Sequence, residues 1–206
     1  GNATSGLCVD KDKLNITMSD VMLGKKLLKD TIIATDYKNL WLAPSTPHLA
    51  NTEAELAQAE RRFSRLKVAI ESVANQYDFI LIDSPPSLSL LTVNGLIAAR
   101  YILLPVQAEF YALEGLGQLL ETMKLVRKNI NPTLDLLGVL PTMINSRTSL
   151  SQQVYEEIKQ HFPGKVFKQT IPRNIRLAEA PSYGVPIGEY DKWSKGALAY
   201  KAVAKE

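Results

Sequence analysis

The chain has 206 residues, 46% hydrophobic and 22% charged, the proportions of a globular chain with a sizeable core. A net charge of +3 is too small to mark a nucleic-acid binder by itself, the single cysteine, Cys8, excludes an internal disulfide framework and any CxxC site, and two distant histidines, His48 and His161, offer no basis for a His-based zinc centre. No apolar run approaches the roughly 20 residues needed to span a bilayer and no signal-peptide pattern is present, so the expectation is a cytoplasmic protein.

The chain opens on Gly1 rather than Met, and GNATSGL has the composition of a loop running into a helix; the expectation is that a segment precedes it. LWLAP (40–44) is a weak strand candidate. In 52–75, Leu56, Ala59, Phe63, Leu66, Ile70 and Val73 recur every three or four positions behind Thr52-x-x-Glu55, the pattern of an amphipathic helix opened by a capping box. DFILID (78–83) is a short apolar run stopped by Pro85-Pro86, and YILLPV (101–106) and LLGVLPTMI (136–144) have the same character. Between and after them, helical spacing continues in 110–130 (Leu113, Leu116, Leu120, Met123, Ile130), in 150–162 (Val154, Ile158, Phe162) and from Ser194 onward. VFKQTIP (166–172) is a further weak strand. Near-continuous apolar strands alternating with helices predict an α/β fold: a doubly wound, mostly parallel sheet flanked by helices, in a single domain over 1–206.

In such a sheet, ligands sit beyond the carboxyl ends of the strands. The residues to read closely are therefore Asp83-Ser84-Pro85-Pro86, Pro105 to Gln107, Thr142 to Arg147, and Pro172-Arg173-Asn174. From chemistry alone Asp83 either caps the turn before the prolines or holds a metal ion. A nucleotide site would also need a phosphate cradle, G-x-x-x-x-G-K-[ST]. LGKKLL and PGKVF contain Gly-Lys, but neither continues with Ser or Thr. Charge is uneven: residues 1–144 hold 14 Lys+Arg against 15 Asp+Glu, and 145–206 hold 10 against 6.

Four stretches in order, YDFILIDSPPSLSLLTVNGL, LLPVQAEFYALEGLGQLL, MINSRTSLSQQV and IPRNIRLAEAPSYGVPI, closely resemble the ParA/Soj family of chromosome- and plasmid-partitioning ATPases. The resemblance runs through essentially the whole chain. It implies a P-loop NTPase whose deviant Walker A loop and catalytic Asp lie upstream of Gly1, in a first βαβ unit that this chain lacks, so that the chain alone is not expected to hydrolyse ATP. It implies that Asp83 is the Walker B aspartate, holding Mg²⁺ through water, and that Asp83 to Ser87, including Ser84, Pro85 and Pro86, form a switch sensing the γ-phosphate. Gly1 and Asn2 resemble the end of the other switch. Thr142 to Asn145 and Ile171 to Arg173, with Pro172 between, would border the adenine. Arg147 and Arg176 match the family's arginines that contact DNA phosphates without reading sequence, a task suited to an always-charged fork.

As the resemblance implies it, ATP and Mg²⁺ join two subunits as a homodimer, which binds non-specific DNA on the nucleoid and is stimulated by a centromere-binding partner of the ParB/Spo0J type. The sequence departs from the family pattern at Cys8, Ser84, Pro141 and Asn145. A MinD-like membrane-positioning ATPase is the alternative within the fold, but the tail SKGALAYKAVAKE is short and alanine-rich, and stable membrane binding needs bulkier apolar residues. A non-enzymatic adaptor using the same surfaces is the alternative outside it.

Overall fold

The computed structural model describes residues 2–85, 87, 89–109, 112–145 and 148–206, without the side chains of 112–116 and 118. They fall into two compact units, Gly1–Ala99 and Arg100–Glu206.

The first unit contains α1 (Asn2–Gly6), α2 (Met18–Met22), α3 (Leu28–Thr31), β1 (Ile33–Ala34), β2 (Trp41–Leu42), α4 (His48–Leu56), α5 (Arg65–Glu71) and α6 (Leu90–Ala98). Helix α2 starts at a reciprocal cap. The Thr17 side chain accepts from the Ser19 N–H at 3.3 Å and the Asp20 carboxylate accepts from the Thr17 N–H at 2.9 Å, which satisfies donors that a first helical turn leaves open. The capping box expected at Thr52 is not one. Thr52 lies inside α4, and its hydroxyl donates to the His48 carbonyl at 3.1 Å.

Nor is 52–75 a single helix: α4 stops at Leu56 and α5 begins at Arg65, with Arg61 between them in the left-handed region at φ 53°. Leu56 and Leu66 would sit about 15 Å apart on an unbroken helix. The break lets both join Met22 in one apolar cluster.

The strand expected over 78–83 does not form, because a strand needs a second segment to take its N–H and C=O groups. No ladder engages it among the described residues; Phe79 is 88% exposed and Leu81 93%, and only Ile82 packs into the core, against the Met22–Leu56–Leu66 cluster. LWLAP is reduced to β2, paired antiparallel with β1 (Ile33 opposite Leu42).

The second unit follows the expected pattern more closely. β3 (Tyr101–Gln107), α7 (Ala112–Asn129), β4 (Asp135–Thr142) and α8 (Ser149–His161) alternate, followed by α9 (Ile175–Glu179), α10 (Ile187–Tyr190) and α11 (Lys195–Val203). β3 and β4 pair in parallel from Tyr101–Asp135 to Gln107–Thr142, with a bulge that leaves Leu137 unmatched. Residues 165–173 run along the other side of β4, bridging at Val139–Val166 and Ile144–Pro172.

β4 is buried on both faces near its middle, as a central parallel strand should be. β3 is not: exposed and buried residues alternate along it, Tyr101 and Leu103 among the exposed. The core beneath is Leu104, Val106, Leu136, Val139, Val154, Ile158 and Phe162, joined by Leu120 and Met123 of α7. The spacing of Val154 and Ile158, continued by Phe162 at the C-cap, is thus the buried stripe of α8.

Candidate nucleotide and nucleic-acid sites

In the first unit the segment carrying Asp83 is steered by α6. The Thr92 hydroxyl donates to the carbonyls of Pro85, at 3.4 Å, and of Ser87. Gly95, one turn further, lets 82–84 come close: a Cβ there would lie 3.0 Å from Ser84 Oγ and 3.5 Å from Ile82 Cγ2. Helix α6 is itself anchored from two sides. Glu53 of α4 accepts the Leu91 N–H at 3.0 Å, a carboxylate placed where a helix N-terminus favours negative charge. Asn94, fully buried, accepts the Leu66 N–H at 3.3 Å and donates to the carbonyls of Arg62 (2.7 Å) and Leu90 (2.9 Å).

Asp83 and Ser84 are exposed at the end of this supported segment, and among the described residues no cation pairs with Asp83. No cluster of three or more His, Cys, Asp or Glu able to hold a metal exists among the described residues. A single free carboxylate does not make a cage for a bare cation. It does suit Mg²⁺, which keeps several waters and is commonly held by one or two carboxylates plus substrate phosphates. Pro86 and Gly1 lie outside the described residues.

In the second unit the strand ends expected to border a base are brought side by side. The Ile144 N–H donates to the Ile171 carbonyl and the Arg173 N–H to the Ile144 carbonyl, each at 3.1 Å. Met143, just before, has φ 55°, a conformation uncommon for a residue with a side chain. Asn145 follows with its N–H on Ser151 Oγ at 3.3 Å and its carbonyl accepting from the Thr148 hydroxyl at 3.1 Å. The end of β3 joins the same edge through the Ala108 N–H on the Thr142 carbonyl at 3.0 Å. There Glu109 faces Arg173 at 3.9 Å, an exposed and loose ion pair. Asn145, Pro172 and Arg173 therefore share one edge. Arg147, expected beside them, lies outside the described residues.

Arg176 stands on α9, whose N-cap Asn174 accepts the Arg176 N–H at 2.9 Å. Its guanidinium is half exposed but not free. Nη1 donates to Glu179 Oε2 at 3.0 Å, and Nε lies 3.6 Å from Asp191 Oδ2. The Tyr190 hydroxyl also donates to Glu179 Oε2, at 3.1 Å. The hydrogen bond to Glu179 holds the guanidinium above its ordinary value, and partial burial, then the bond to Glu179, pushes the Tyr190 phenol up. Sequence reading picked out Arg176 and missed Glu179, Tyr190 and Asp191. The three-residue step from Arg176 to Glu179 on one helix was the available signal; the contact of Asp191, from the turn before α11, had none.

The AAA domain family model matches residues 1–136. The "Sporulation initiation inhibitor protein Soj" of Bacillus subtilis is 50% identical over 206 residues, covering all of this chain and 81% of the relative. The "Chromosome partitioning protein ParA" of Myxococcus xanthus is 43% identical over 206 residues, covering all of this chain and 73% of the relative. Among solved structures, cobyrinic acid a,c-diamide synthase from Mycobacterium smegmatis with bound ADP and magnesium superposes with a TM-score of 0.83 at 35% identity, over 98% of this chain and 75% of that one. The apo McdA of Cyanothece reaches 0.86 at 22% identity, over 98% and 83%, a likeness of fold. These neighbours are P-loop NTPases, which fits the helices and parallel strands of the second unit.

Proposed function

The chain belongs to the ParA/Soj family of partitioning ATPases, and we propose that it acts as a single ATPase domain that dimerises on ATP–Mg²⁺, binds DNA without sequence preference in the cytoplasm on the nucleoid, and is stimulated by a ParB-type partner. The observation that carries this reading is the match of all 206 residues of this chain, at 43–50% identity, to 81% and 73% of the lengths of Soj and ParA relatives. When bound with ATP, Mg²⁺ supplies neutralisation of the phosphate charge. Asp83 would hold the ion's water, with Ser84, Pro85 and Pro86 beside the phosphates. Asn145, Pro172 and Arg173 would border the base. The pairing of Ile144 with 171–173 supports their acting together, because the same hydrogen bonds fix both strand ends.

Arg147 and Arg176 are the proposed phosphate contacts to DNA. Phosphate contacts position a protein on any duplex and release counterions. In the protein as its gene encodes it, Arg176→Ala is expected to weaken duplex binding equally for unrelated sequences. It should also flatten the plot of log K against log salt, by no more than about 1 for each Arg176–phosphate pairing removed. Fluorescence anisotropy across a salt series, with ATP–Mg²⁺ present, checks this. An unchanged affinity and slope would remove Arg176 from the DNA face.

A further inference from the structure

We propose that Glu179 and Asp191 form a carboxylate clamp that competes with DNA phosphates for Arg176 and so sets how tightly this face binds DNA. The inference rests on the DNA-binding reading of Arg176 and concerns how that contact is regulated.

The two carboxylates reach the guanidinium from different elements. Glu179 lies on the same helix, three residues on, and accepts a hydrogen bond from Nη1 at 3.0 Å; Asp191 comes from the turn before α11 and stands 3.6 Å from Nε, an ion pair without a hydrogen bond. Neither arrives by chance of a loose side chain. Glu179 is held in place by the Tyr190 hydroxyl at 3.1 Å, and the Tyr190 ring stacks on Tyr183, with centroids 5.1 Å apart. Asp191 is held by the Trp193 N–H on its Oδ1 at 3.2 Å and by its own N–H on the Ile187 carbonyl at 2.9 Å. Helix α11 approaches α9 so closely that a Cβ on Gly196 would lie 2.5 Å from Leu177 Cγ, which keeps the Asp191 turn near Arg176.

A guanidinium offers five N–H donors, and the clamp uses the Nη1 and Nε directions while half of the side chain stays in solvent. The charge of Arg176 is therefore largely balanced before any DNA arrives. A phosphate can still take it, because exposed ion pairs are weak, but the carboxylates must give way. Binding is then weaker than a free arginine would allow. Arg176 also contributes less than a full contact to the salt slope, since an arginine already neutralised by protein releases fewer counterions from the DNA complex than one that exchanges water for phosphate. Tyr190 gives the displaced Glu179 carboxylate a donor to keep, so opening the clamp does not leave it without a partner.

The test is a double-mutant cycle on the complete protein, using duplex DNA of two unrelated sequences, anisotropy and a salt series with ATP–Mg²⁺. Glu179→Gln is expected to tighten binding roughly two- to fivefold, the range set by the strength of exposed pairs, and to steepen the salt slope by up to about 0.9. Asp191→Asn should do the same to a smaller extent. In Arg176→Ala the further change Glu179→Gln should have no effect, because the clamp has nothing left to hold. A gain that persists without Arg176 would mean a general charge effect and overturns the clamp. So does an unchanged or weakened affinity in both Glu179→Gln and Asp191→Asn at parental melting temperature, when Arg176→Ala alone still weakens binding. If Arg176→Ala has no effect either, the DNA-binding reading fails and the clamp with it.

Discussion

Asn94 shows how much a single buried polar residue can organise. One side chain, with no exposure, joins the first turn of α5 to α6 by accepting the Leu66 N–H and donating to Arg62 and Leu90. Truncation would leave the buried Leu66 N–H without this acceptor, at a cost of about 1–3 kcal/mol for a buried group. Asn94→Ala is therefore expected to lower the urea midpoint of the chain without changing the m-value, while Asn129→Ala, removing an exposed helix contact, should leave it nearly unchanged. Asn94 sits in LLTVNGLIA, a stretch whose apolar content conceals its role. The same holds for Arg176. Its charge and its place after a strand end were legible, because they belong to one residue and its neighbours; its partner Asp191 was not, because fifteen positions of chain must fold before the two meet.

At the scale of elements, Glu206 ties α11's end to the bend at 168–169. The Lys168 and Gln169 N–H groups donate to the two carboxylate oxygens of Glu206 at 2.9 and 3.0 Å. Backbone donors at a bend have no ladder partner, and here a side chain supplies their acceptors. The Lys168 and Gln169 amides, in that order, hold the Glu206 carboxyl below its ordinary value of 4.5. A depressed folded pKa means the contribution is fully present above the unfolded value and is lost as pH falls through the folded one. Amide exchange at Lys168 and Gln169, corrected for intrinsic rates, should thus be slow above about pH 5 and accelerate below the ordinary carboxyl range. In Glu206→Gln the pH-dependent part of that change should vanish. Helices were the elements easiest to read from sequence. α7, α8 and α11 lie where the 3.6-residue spacing put them, since a helix satisfies its backbone within one segment. α4 and α5 depart from that reading because the requirement to bring Leu56 and Leu66 into one cluster outweighed a periodicity that was locally continuous.

Across the molecule, among the described residues, the segment 78–83 carries the large apolar side chains with the highest fractional exposure, Phe79 and Leu81, beside a partly buried Ile82. Exposed apolar residues of this size promote association. In the 206-residue chain, Phe79→Ser and Leu81→Ser are expected to reduce concentration-dependent association in sedimentation velocity while leaving the melting temperature essentially unchanged. Ile82→Ser, which removes a core contact, should lower it. A fall in melting temperature for Leu81→Ser as large as for Ile82→Ser would contradict this division of the segment. By itself the sequence determined the family, through four ordered motifs; the α/β class, through alternating apolar runs and helical spacing; and the residue types waiting at each strand end. Only the tertiary structure decided which apolar runs became strands: YILLPV and LLGVLPTMI found each other as β3 and β4, and DFILID found no ladder among the described residues. It alone decided which carboxylates met Arg176. The reason is common to both. Hydrophobic spacing and charge are written along the chain, whereas strand ladders and ion pairs between elements exist only when a second, distant segment supplies the other half of each bond.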